Sequence, residues 1–194
     1  RAAGGDPEML GIVRDDVKDL HEKIGQALQH DVVITSGGVS MGKYDLVEGV
    51  LAAHGVEIGF DKVAMKPGKP TVFGWKGRTF VFGLPGNPVS TIVSFQLFVR
   101  PLIRSLLHAT DETDALLEAK LDQAVRCDPV RAACVPARVR FLDGGYRIKP
   151  VEWKGSSDLV GLSRANAYVL IPQQEESLPV DMPVKFIPMA STDR

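Results

Sequence analysis

Residues 31–42 have the sequence DVVITSGGVSMG, in which a short apolar run passes directly into a loop of glycine and serine. An apolar run of this length, bounded by turn residues, is typical of a buried strand in a parallel sheet. Open α/β sheets bind ligands at the carboxyl ends of their strands, and glycines there let backbone N–H groups approach an anion. A tight connection without any ligand would explain the same pattern, so this loop alone does not decide a function.

The first half of the chain, to about His108, alternates apolar runs with helical patterns, which predicts an α/β fold with a mostly parallel, three-layer sheet. Five strands are predicted, at residues 10–13, 31–35, 56–63, 71–75 and 79–82, the last two joined by a hairpin through Lys76 and Gly77. Three helices are predicted: one capped by Asp15 or Asp16, one at residues 45–53, and a long apolar one from Asn87 and Pro88 to about Leu107.

The second half has a different pattern of short alternating strands and predicts a small all-β barrel or sandwich. The predicted strands are residues 116–126, 136–142, 146–151, 168–171 and 184–188. The sequence therefore predicts two domains, an α/β domain over residues 1–108 and a β domain over residues 109–194.

Composition narrows the function classes. A formal net charge of −1 predicts no long-range attraction to nucleic acid or to an anionic membrane, so any cationic chemistry must be local. The most apolar stretch, residues 79–99, contains two prolines and is not a membrane span. Cys127 and Cys134 fit neither a metal knuckle nor a disulfide scaffold, and reduced cysteines predict a cytoplasmic protein. The four histidines are scattered without ligand spacing, which argues against a zinc or triad enzyme.

Two further turn-rich segments follow predicted strands. In Lys66-Pro67-Gly68-Lys69-Pro70, a Pro-Gly turn brings the two lysine Cα atoms within roughly 7 Å. Ammonium groups that close repel each other unless an anion lies between them. A solvated surface turn is the alternative interpretation.

The segment Leu84-Pro85-Gly86-Asn87-Pro88-Val89-Ser90 predicts the start of a helix after a Pro-Gly turn. The N–H groups of Val89 and Ser90, the Ser90 hydroxyl and the positive end of the helix dipole would surround one point, which suits an anion. An ordinary capped helix would give the same sequence. Asp45 has two interpretations as well, since it could hold Mg²⁺ near a bound phosphate or only cap the helix that follows it.

Taken together, the motifs closely resemble the molybdopterin molybdotransferases of molybdenum-cofactor biosynthesis, the family that includes bacterial MoeA and the C-terminal domain of gephyrin. The resemblance covers nearly the whole chain. Five motifs carry it in order: the 36–42 loop with Asp45, the 66–70 turn, Pro85–Ser90, Gly155-Ser156-Ser157-Asp158-Leu159 and Leu162-Ser163-Arg164-Ala165-Asn166-Ala167.

The resemblance implies a reaction in which molybdate is inserted into adenylylated molybdopterin and AMP is released with Mg²⁺. It assigns molybdate to Lys66, Lys69 and Ser90, with Arg138 and Ser156 or Ser157 from the β domain; Arg140 lies two residues from Arg138 on the same face. It assigns Mg²⁺ to Asp45 and the substrate's pterin phosphate to the 36–42 loop. The further substrate-binding positions are Ser36, Gly37, Gly38, Ser40, Gly42, Pro67, Gly68, Pro85, Gly86 and Asn87.

Family members carry a further strand-helix unit at the start of the α/β domain and two more N-terminal subdomains. Because this chain starts at Arg1 and lacks them, we expect a fragment or processed product of a protein that forms a homodimer. The expected partners are small-molecule substrates and, by the same resemblance, a molybdopterin adenylyltransferase or a recipient molybdoenzyme. The alternatives are a non-catalytic scaffold of the gephyrin type and another phosphate- or nucleotide-binding α/β enzyme.

Overall fold

The computed structural model describes residues 1–13, 16–38, 46–109 and 116–189. The chain divides into two compact units. The first comprises Arg1–Val63 and Gly68–Ala109, and the second comprises Ala64–Pro67 and Thr110–Arg194. The first unit is built of helices and one sheet and the second is a β barrel, so the predicted fold class is confirmed.

The sheet of the first unit contains four strands in the order β1-β5-β4-β2: β1 (Val32–Ser36), β2 (Glu57–Phe60), β4 (Val72–Lys76) and β5 (Thr79–Leu84). Strands β1 and β5 are parallel, whereas β4 is antiparallel to both of its neighbours. The sheet is therefore mixed and not mostly parallel. The physical reason is the two-residue connection between β4 and β5, which is long enough only for an antiparallel hairpin.

The predicted strand at residues 10–13 is wrong. These residues form no strand, and the side chain of Ile12 is fully exposed (101%). Gly11 has a φ of +89°, which takes the backbone out of the extended region. An apolar run becomes a strand only where another strand pairs with it, and in the described part of the chain none pairs with this one.

Two helices of the first unit were predicted within a few residues of their bounds, α1 (Val17–Ala27) and α2 (Leu46–Ala53). Asp16 is the N-cap of α1, and its carboxylate accepts hydrogen bonds from the backbone N–H groups of Lys18 (2.8 Å) and Asp19 (3.1 Å). The buried face of α1 centres on Ile24, which is 2% exposed. The helix therefore packs as its periodicity predicts.

The long apolar helix consists of α3 (Pro88–Ser94), a π-helical segment (Phe95–Val99) and α4 (Arg100–Leu106). The π-helical segment ends just before Pro101, which lacks a backbone N–H and cannot continue a regular α-helical ladder. Val99 packs with Phe82 and Leu84 in the core. Among the described residues, no helix combines the length and the apolar character that crossing a membrane requires.

The barrel of the second unit closes through five strands in the order β7-β8-β6-β10-β9, with β9 pairing back onto β7. These strands are β6 (Leu117–Leu121), β7 (Ala132–Leu142), β8 (Gly145–Pro150), β9 (Ala167–Ile171) and β10 (Pro183–Pro188). Two elements were not predicted. A short strand, β3 (Met65–Lys66), pairs in parallel with β7, and a five-residue helix, α5 (Leu159–Ser163), lies between β8 and β9.

Gly74 of β4 provides a test of the sheet. A Cβ atom at this position would lie 2.5 Å from the backbone oxygen of Glu57 in β2, so Gly74→Ala must push the two strands apart. We expect the free energy of unfolding to fall by about 1–3 kcal/mol, measured by urea denaturation.

Gly49→Ala is the matched control. A Cβ atom at Gly49 of α2 meets no atom within 4 Å, so this variant should gain about 1 kcal/mol from helix propensity. Equal stabilities of the two variants would contradict the packing of β4 against β2.

Candidate oxyanion-binding loops

The two glycine-containing loops of the first unit leave the sheet side by side. Strands β1 and β5 are parallel neighbours with Ser36 opposite Leu84, so both end at the same edge. The Gly37 N–H donates to the Leu84 oxygen (3.0 Å), and the Ser36 hydroxyl donates to the Pro85 oxygen (3.4 Å). Loops that are almost fifty residues apart in sequence are therefore held together at the carboxyl end of the parallel pair, where α/β folds bind ligands.

Glycine is required where the first loop turns. Gly37 and Gly38 have φ values of +86° and +69°, in the left-handed region. A Cβ atom at Gly38 would lie only 2.8 Å from the Val47 side chain, and one at Gly86 would lie 3.5 Å from the Gly37 Cα, which is van der Waals contact. Because the Gly37 N–H is already bonded to Leu84, Gly37 fixes the loop, and the Gly38 N–H is the next amide that could face an anion.

The rest of the predicted loop lies outside the described residues. This applies to Ser40 and Gly42, and to Asp45, the predicted magnesium ligand. Within the described ranges no group of three or more His, Cys, Asp or Glu side chains could hold a metal ion, and the described residues of the two loops include no carboxylate. The described residues of the two loops therefore supply no carboxylate ligand for Mg²⁺.

The second loop runs into α3 as the sequence predicts. Asn87 is at the N-cap position and Pro88 is the first helical residue, although the Asn87 side chain does not make the capping hydrogen bond. The Thr91 hydroxyl instead lies within hydrogen-bonding distance of the backbone oxygens of Pro85 and Asn87. Ser90 is 5% exposed, and among the described residues its hydroxyl has no hydrogen-bond partner. The residue is mostly buried, and its hydroxyl remains able to donate to a ligand.

The Lys-Pro-Gly-Lys turn passes from one unit to the other, because Lys66 and Pro67 belong to the second unit and Gly68 and Lys69 to the first. Both lysines are exposed. Gly68 has a φ of +106°, as a Pro-Gly turn predicts, whereas the cis peptide bond between Lys66 and Pro67 was not predicted.

A buried pair of hydroxyls anchors the first-unit half of this turn. The Thr71 hydroxyl donates to the Gly68 oxygen (2.7 Å) and lies 2.9 Å from the Ser94 hydroxyl, and both residues are completely buried. Ser94 lies one helical turn after Ser90 on the same face of α3. Gly68 is therefore fixed to the helix that carries Ser90, a connection that no sequence pattern indicated.

In the second unit, Arg138 and the two candidate serines belong to one part of the barrel. The loop between β8 and β9 begins at Pro150 and ends at Ala167, and both of these residues pair with Ala137 of β7. Arg138 is the next residue of β7, and its guanidinium Nη1 donates to the Arg164 oxygen (3.4 Å) within that loop. The loop that carries Ser156 (half-buried) and Ser157 (exposed) is thus attached at both ends beside Arg138.

Asp158 fixes the conformation of the serine loop. Its carboxylate accepts hydrogen bonds from the N–H groups of Gly161 (2.8 Å) and Lys154 (2.7 Å), which lie on either side of the serines. These two donors, chiefly that of Gly161, lower the pKa of Asp158 from its ordinary value. Asp158 belongs to the Gly155–Leu159 motif, which assigns it no role, and its hydrogen bonds make it a positioning residue for the serine loop.

Asn166 holds the backbone on both sides of Arg138. Its side-chain oxygen accepts from the Val139 N–H (2.8 Å), its side-chain nitrogen donates to the Val139 oxygen (3.0 Å), and its own N–H donates to the Ala137 oxygen (3.0 Å). The Asn166 amide therefore replaces a strand residue in the ladder along β7. Like Asp158, Asn166 belongs to a sequence motif that assigns it no role.

The structure distinguishes Arg138 from Arg140. The Arg140 guanidinium Nη2 donates to the Asp122 carboxylate (2.9 Å), which also accepts from Arg147 Nε (2.8 Å). These arginines, chiefly Arg147, lower the pKa of Asp122, so the carboxylate stays ionised and compensates their charge. Arg138 contacts only a backbone carbonyl among the described residues, which makes it the better candidate for binding an anion.

Two family models match the chain. The model of a probable molybdopterin binding domain matches residues 1–105, and the model of the MoeA C-terminal region, domain IV, matches residues 118–189. The curated molybdopterin molybdenumtransferase of Nostoc sp. is 34% identical over 178 residues, which cover 89% of this chain and 41% of the relative. The Bacillus subtilis protein of the same name is 32% identical over 171 residues, which cover 88% of this chain and 40% of the relative.

Solved structures agree with this likeness. The molybdopterin biosynthesis MoeA protein of Pyrococcus horikoshii superposes with a TM-score of 0.72 at 31% identity, over 93% of this chain and 43% of that chain. A molybdenum cofactor biosynthesis protein of Pyrococcus furiosus gives 0.68 at 25% identity, over 94% of this chain and 58% of that chain. The chain spans about two-fifths of the length of the curated relatives it matches.

The bond between Thr71 and Ser94 can be tested by a double-mutant cycle with Thr71→Val, Ser94→Ala and the double variant. Thr71→Val leaves the Gly68 oxygen and the Ser94 hydroxyl buried without this partner and should cost about 1–3 kcal/mol. Because the two hydroxyls share one bond, the double variant should cost less than the sum of the single variants. Strict additivity in urea denaturation would exclude the bond.

The hydrogen bonds of the Asp158 carboxylate should make the stability of the serine loop sensitive to acid. A lowered folded pKa means that its stabilising contribution is full above the ordinary value of 3.8 and is lost as pH falls through the folded pKa. We expect Asp158→Asn to be less stable than the wild type at pH 6, because an amide cannot accept from both N–H donors. This difference should shrink by pH 3, and a difference that is the same at both pH values would contradict the role of the carboxylate.

Proposed function

This chain belongs to the family of molybdopterin-binding proteins that includes MoeA, and from that we propose that it is the substrate-binding part of a molybdopterin molybdenumtransferase. The proposed reaction inserts molybdate into adenylylated molybdopterin with release of AMP, a step of molybdenum cofactor biosynthesis. The observation that carries the proposal is the juxtaposition of the 36–38 and 85–90 segments at the carboxyl end of the parallel strands. The matches of both family models, in order along the chain, support it.

In the first unit, we assign Lys69 and Ser90 to the molybdate. Molybdate is a tetrahedral dianion, so it suits an ammonium group together with hydroxyl and amide donors. The hydroxyl of the mostly buried Ser90 can donate a hydrogen bond, and the first amides of α3, at the positive end of the helix dipole, lie beside it.

The terminal phosphate of the pterin substrate is assigned to the first glycine-rich loop. Gly38 provides an N–H in a backbone without a Cβ, while Ser36 and Gly37 fix the loop against its neighbour through their bonds to the second loop. Ser40 and Gly42 continue this loop in the proposal. Pro85, Gly86 and Asn87 form the neighbouring wall, and Pro67 and Gly68 set the turn between the lysines.

In the second unit, we assign Lys66, Arg138 and the serines of the 156–157 pair to oxyanion groups. Arg138 carries the strongest support, since Asn166 holds the backbone on both sides of it and Arg140 is already paired with Asp122. Guanidinium groups form directional, charge-assisted hydrogen bonds with tetrahedral anions. The task of these residues is to bind and orient the anion.

The remaining properties are proposed from the family resemblance. We propose Asp45 as the ligand of Mg²⁺, because carboxylate oxygens are the ligands that Mg²⁺ prefers. We also propose that the whole protein is a cytoplasmic homodimer and that its protein partner is a molybdopterin adenylyltransferase or a recipient molybdoenzyme.

Calorimetric titration of molybdate tests the proposal, with sulfate as the competing anion. We expect molybdate to bind more tightly than sulfate, and Lys69→Ala and Ser90→Ala each to weaken binding about tenfold or more, which is the size of a charge-assisted hydrogen bond. The matched control is Lys62→Ala, which removes another exposed lysine of the first unit, one that is paired with Asp61 (3.3 Å). This control should bind molybdate as the wild type does.

Three outcomes would contradict the proposal. They are the absence of molybdate binding by the folded chain, equal affinities for molybdate and sulfate, and the same loss of affinity in Lys62→Ala as in Lys69→Ala. The first of these would favour the alternative of a scaffold protein.

A further inference from the structure

Two cations face each other across the β7–β8 hairpin. Arg138 of β7 lies directly opposite Lys149 of β8, and both side chains are exposed on the outer face of the barrel. Directly opposed residues of antiparallel strands have Cβ atoms about 4.5–5.5 Å apart, and like charges in this arrangement destabilise the sheet. A negatively charged group beside the pair, either a carboxylate of the protein or a bound anion, would offset this repulsion.

The next rung of the same hairpin that faces outward provides a comparison. There Arg140 lies opposite Arg147, again with two cations on the outer face. Two carboxylates compensate this pair, because Asp122 bonds both guanidinium groups and Asp181 bonds Arg147. One cation pair of the hairpin is thus neutralised within the protein.

The Arg138–Lys149 pair has no such compensation. Within residues 116–189, neither side chain makes an ion pair with a carboxylate, and the contact of Arg138 is the Arg164 carbonyl oxygen. The one polar side chain bonded to the backbone beside Arg138 is the uncharged Asn166. The hairpin therefore presents two positive charges side by side, one rung away from Ala137, whose partners Pro150 and Ala167 begin and end the serine loop.

We propose that Lys149 is a further anion-binding residue, which acts with Arg138 on one tetrahedral oxyanion. The inference extends the proposed function, since that function already makes Arg138 an anion ligand. A doubly charged oxyanion matches two adjacent cations in charge, and its four oxygens can accept hydrogen bonds from the ammonium, the guanidinium and the hydroxyls of the adjacent loop together. Molybdate and the phosphate of the pterin substrate share this chemistry.

A single cation pair suits a small dianion better than a polyanion. Nucleic acids and anionic membranes are bound by extended arrays of Lys and Arg, each contributing to many phosphate contacts. Here Asp122 and Asp181 compensate the Arg140–Arg147 pair, so Arg138 and Lys149 are the uncompensated cation pair of this hairpin.

The test compares Arg138→Gln and Lys149→Gln with two controls at low ionic strength. Arg140→Gln removes the corresponding cation of the compensated rung, and Lys185→Gln removes an exposed strand lysine that is paired with Glu118 (3.2 Å). Molybdate, phosphate and sulfate are titrated into each variant of the 194-residue chain by calorimetry. We expect Lys149→Gln and Arg138→Gln each to lower the affinity for the bound anion at least fivefold. The affinities of both controls should stay within twofold of the wild type.

The inference is overturned if Lys149→Gln stays within twofold of the wild type for all three anions, if Arg140→Gln weakens binding as much, or if the folded chain binds none of them. If Lys149→Gln lowers the affinity for all three anions and molybdate binds no more tightly than sulfate, the inference stands and the proposed function fails. If Lys69→Ala weakens molybdate binding and Lys149→Gln does not, the proposed function stands and the inference fails.

Thermal unfolding without added anion provides a second readout. Removal of one cation from an uncompensated pair relieves repulsion, so Lys149→Gln should be at least as stable as the wild type and should gain less from added molybdate or phosphate. A lower melting temperature without anion would indicate that Lys149 has a structural partner and would overturn the proposal.

Discussion

The parallel pairing of β1 with β5 is the constraint on which the site of the first unit depends. Its register runs without a break from Val32 opposite Phe80 to Ser36 opposite Leu84. The buried Val33 and Val81 hold it, because a slip by one residue would turn each apolar side chain to the other face of the sheet. Burial therefore fixes the register, and the register fixes which residues of the two loops meet.

A comparable constraint acts in the barrel at Ala137. This residue is completely buried and pairs with Pro150 on one side and with Ala167 on the other. The sixteen residues between those two partners are attached at both ends to one point of β7, and this segment includes α5 and the serine pair. Closure of the barrel thus sets the position of a loop that has little core of its own. The proposed ligand groups of each unit are therefore placed by pairing between strands that are distant in sequence.

Local signals explain what the sequence could predict. The Asp16 cap, the Asn87–Pro88 helix start and most barrel strands depend on neighbouring residues, and they were found within a few positions. The strand at residues 10–13 failed because periodicity cannot show whether a partner strand exists. A mixed sheet was already implied by the predicted hairpin through Lys76 and Gly77, which requires one antiparallel pair.

Roles that depend on distant contacts could not be predicted. Asn166 meets Val139 across 27 positions, and Thr71 meets Ser94 across 23. Neither pair leaves a periodic or compositional trace, although Asn166 belonged to a motif that the family resemblance had singled out. The sequence thus indicated the loops that we propose to bind anions. It did not indicate the residues that hold those loops in place.

The placement of carboxylates decides where a chain of net charge −1 can attract an anion. Asp122 is used by two arginines and Asp158 by two backbone N–H groups, so neither is available to Arg138. Position 166 shows the same logic, because its side chain must both accept from and donate to the backbone of Val139. An ionised aspartate could only accept, and it would place a negative charge beside Arg138. Asparagine completes the ladder without that charge, which leaves the positive potential of Arg138 for a ligand.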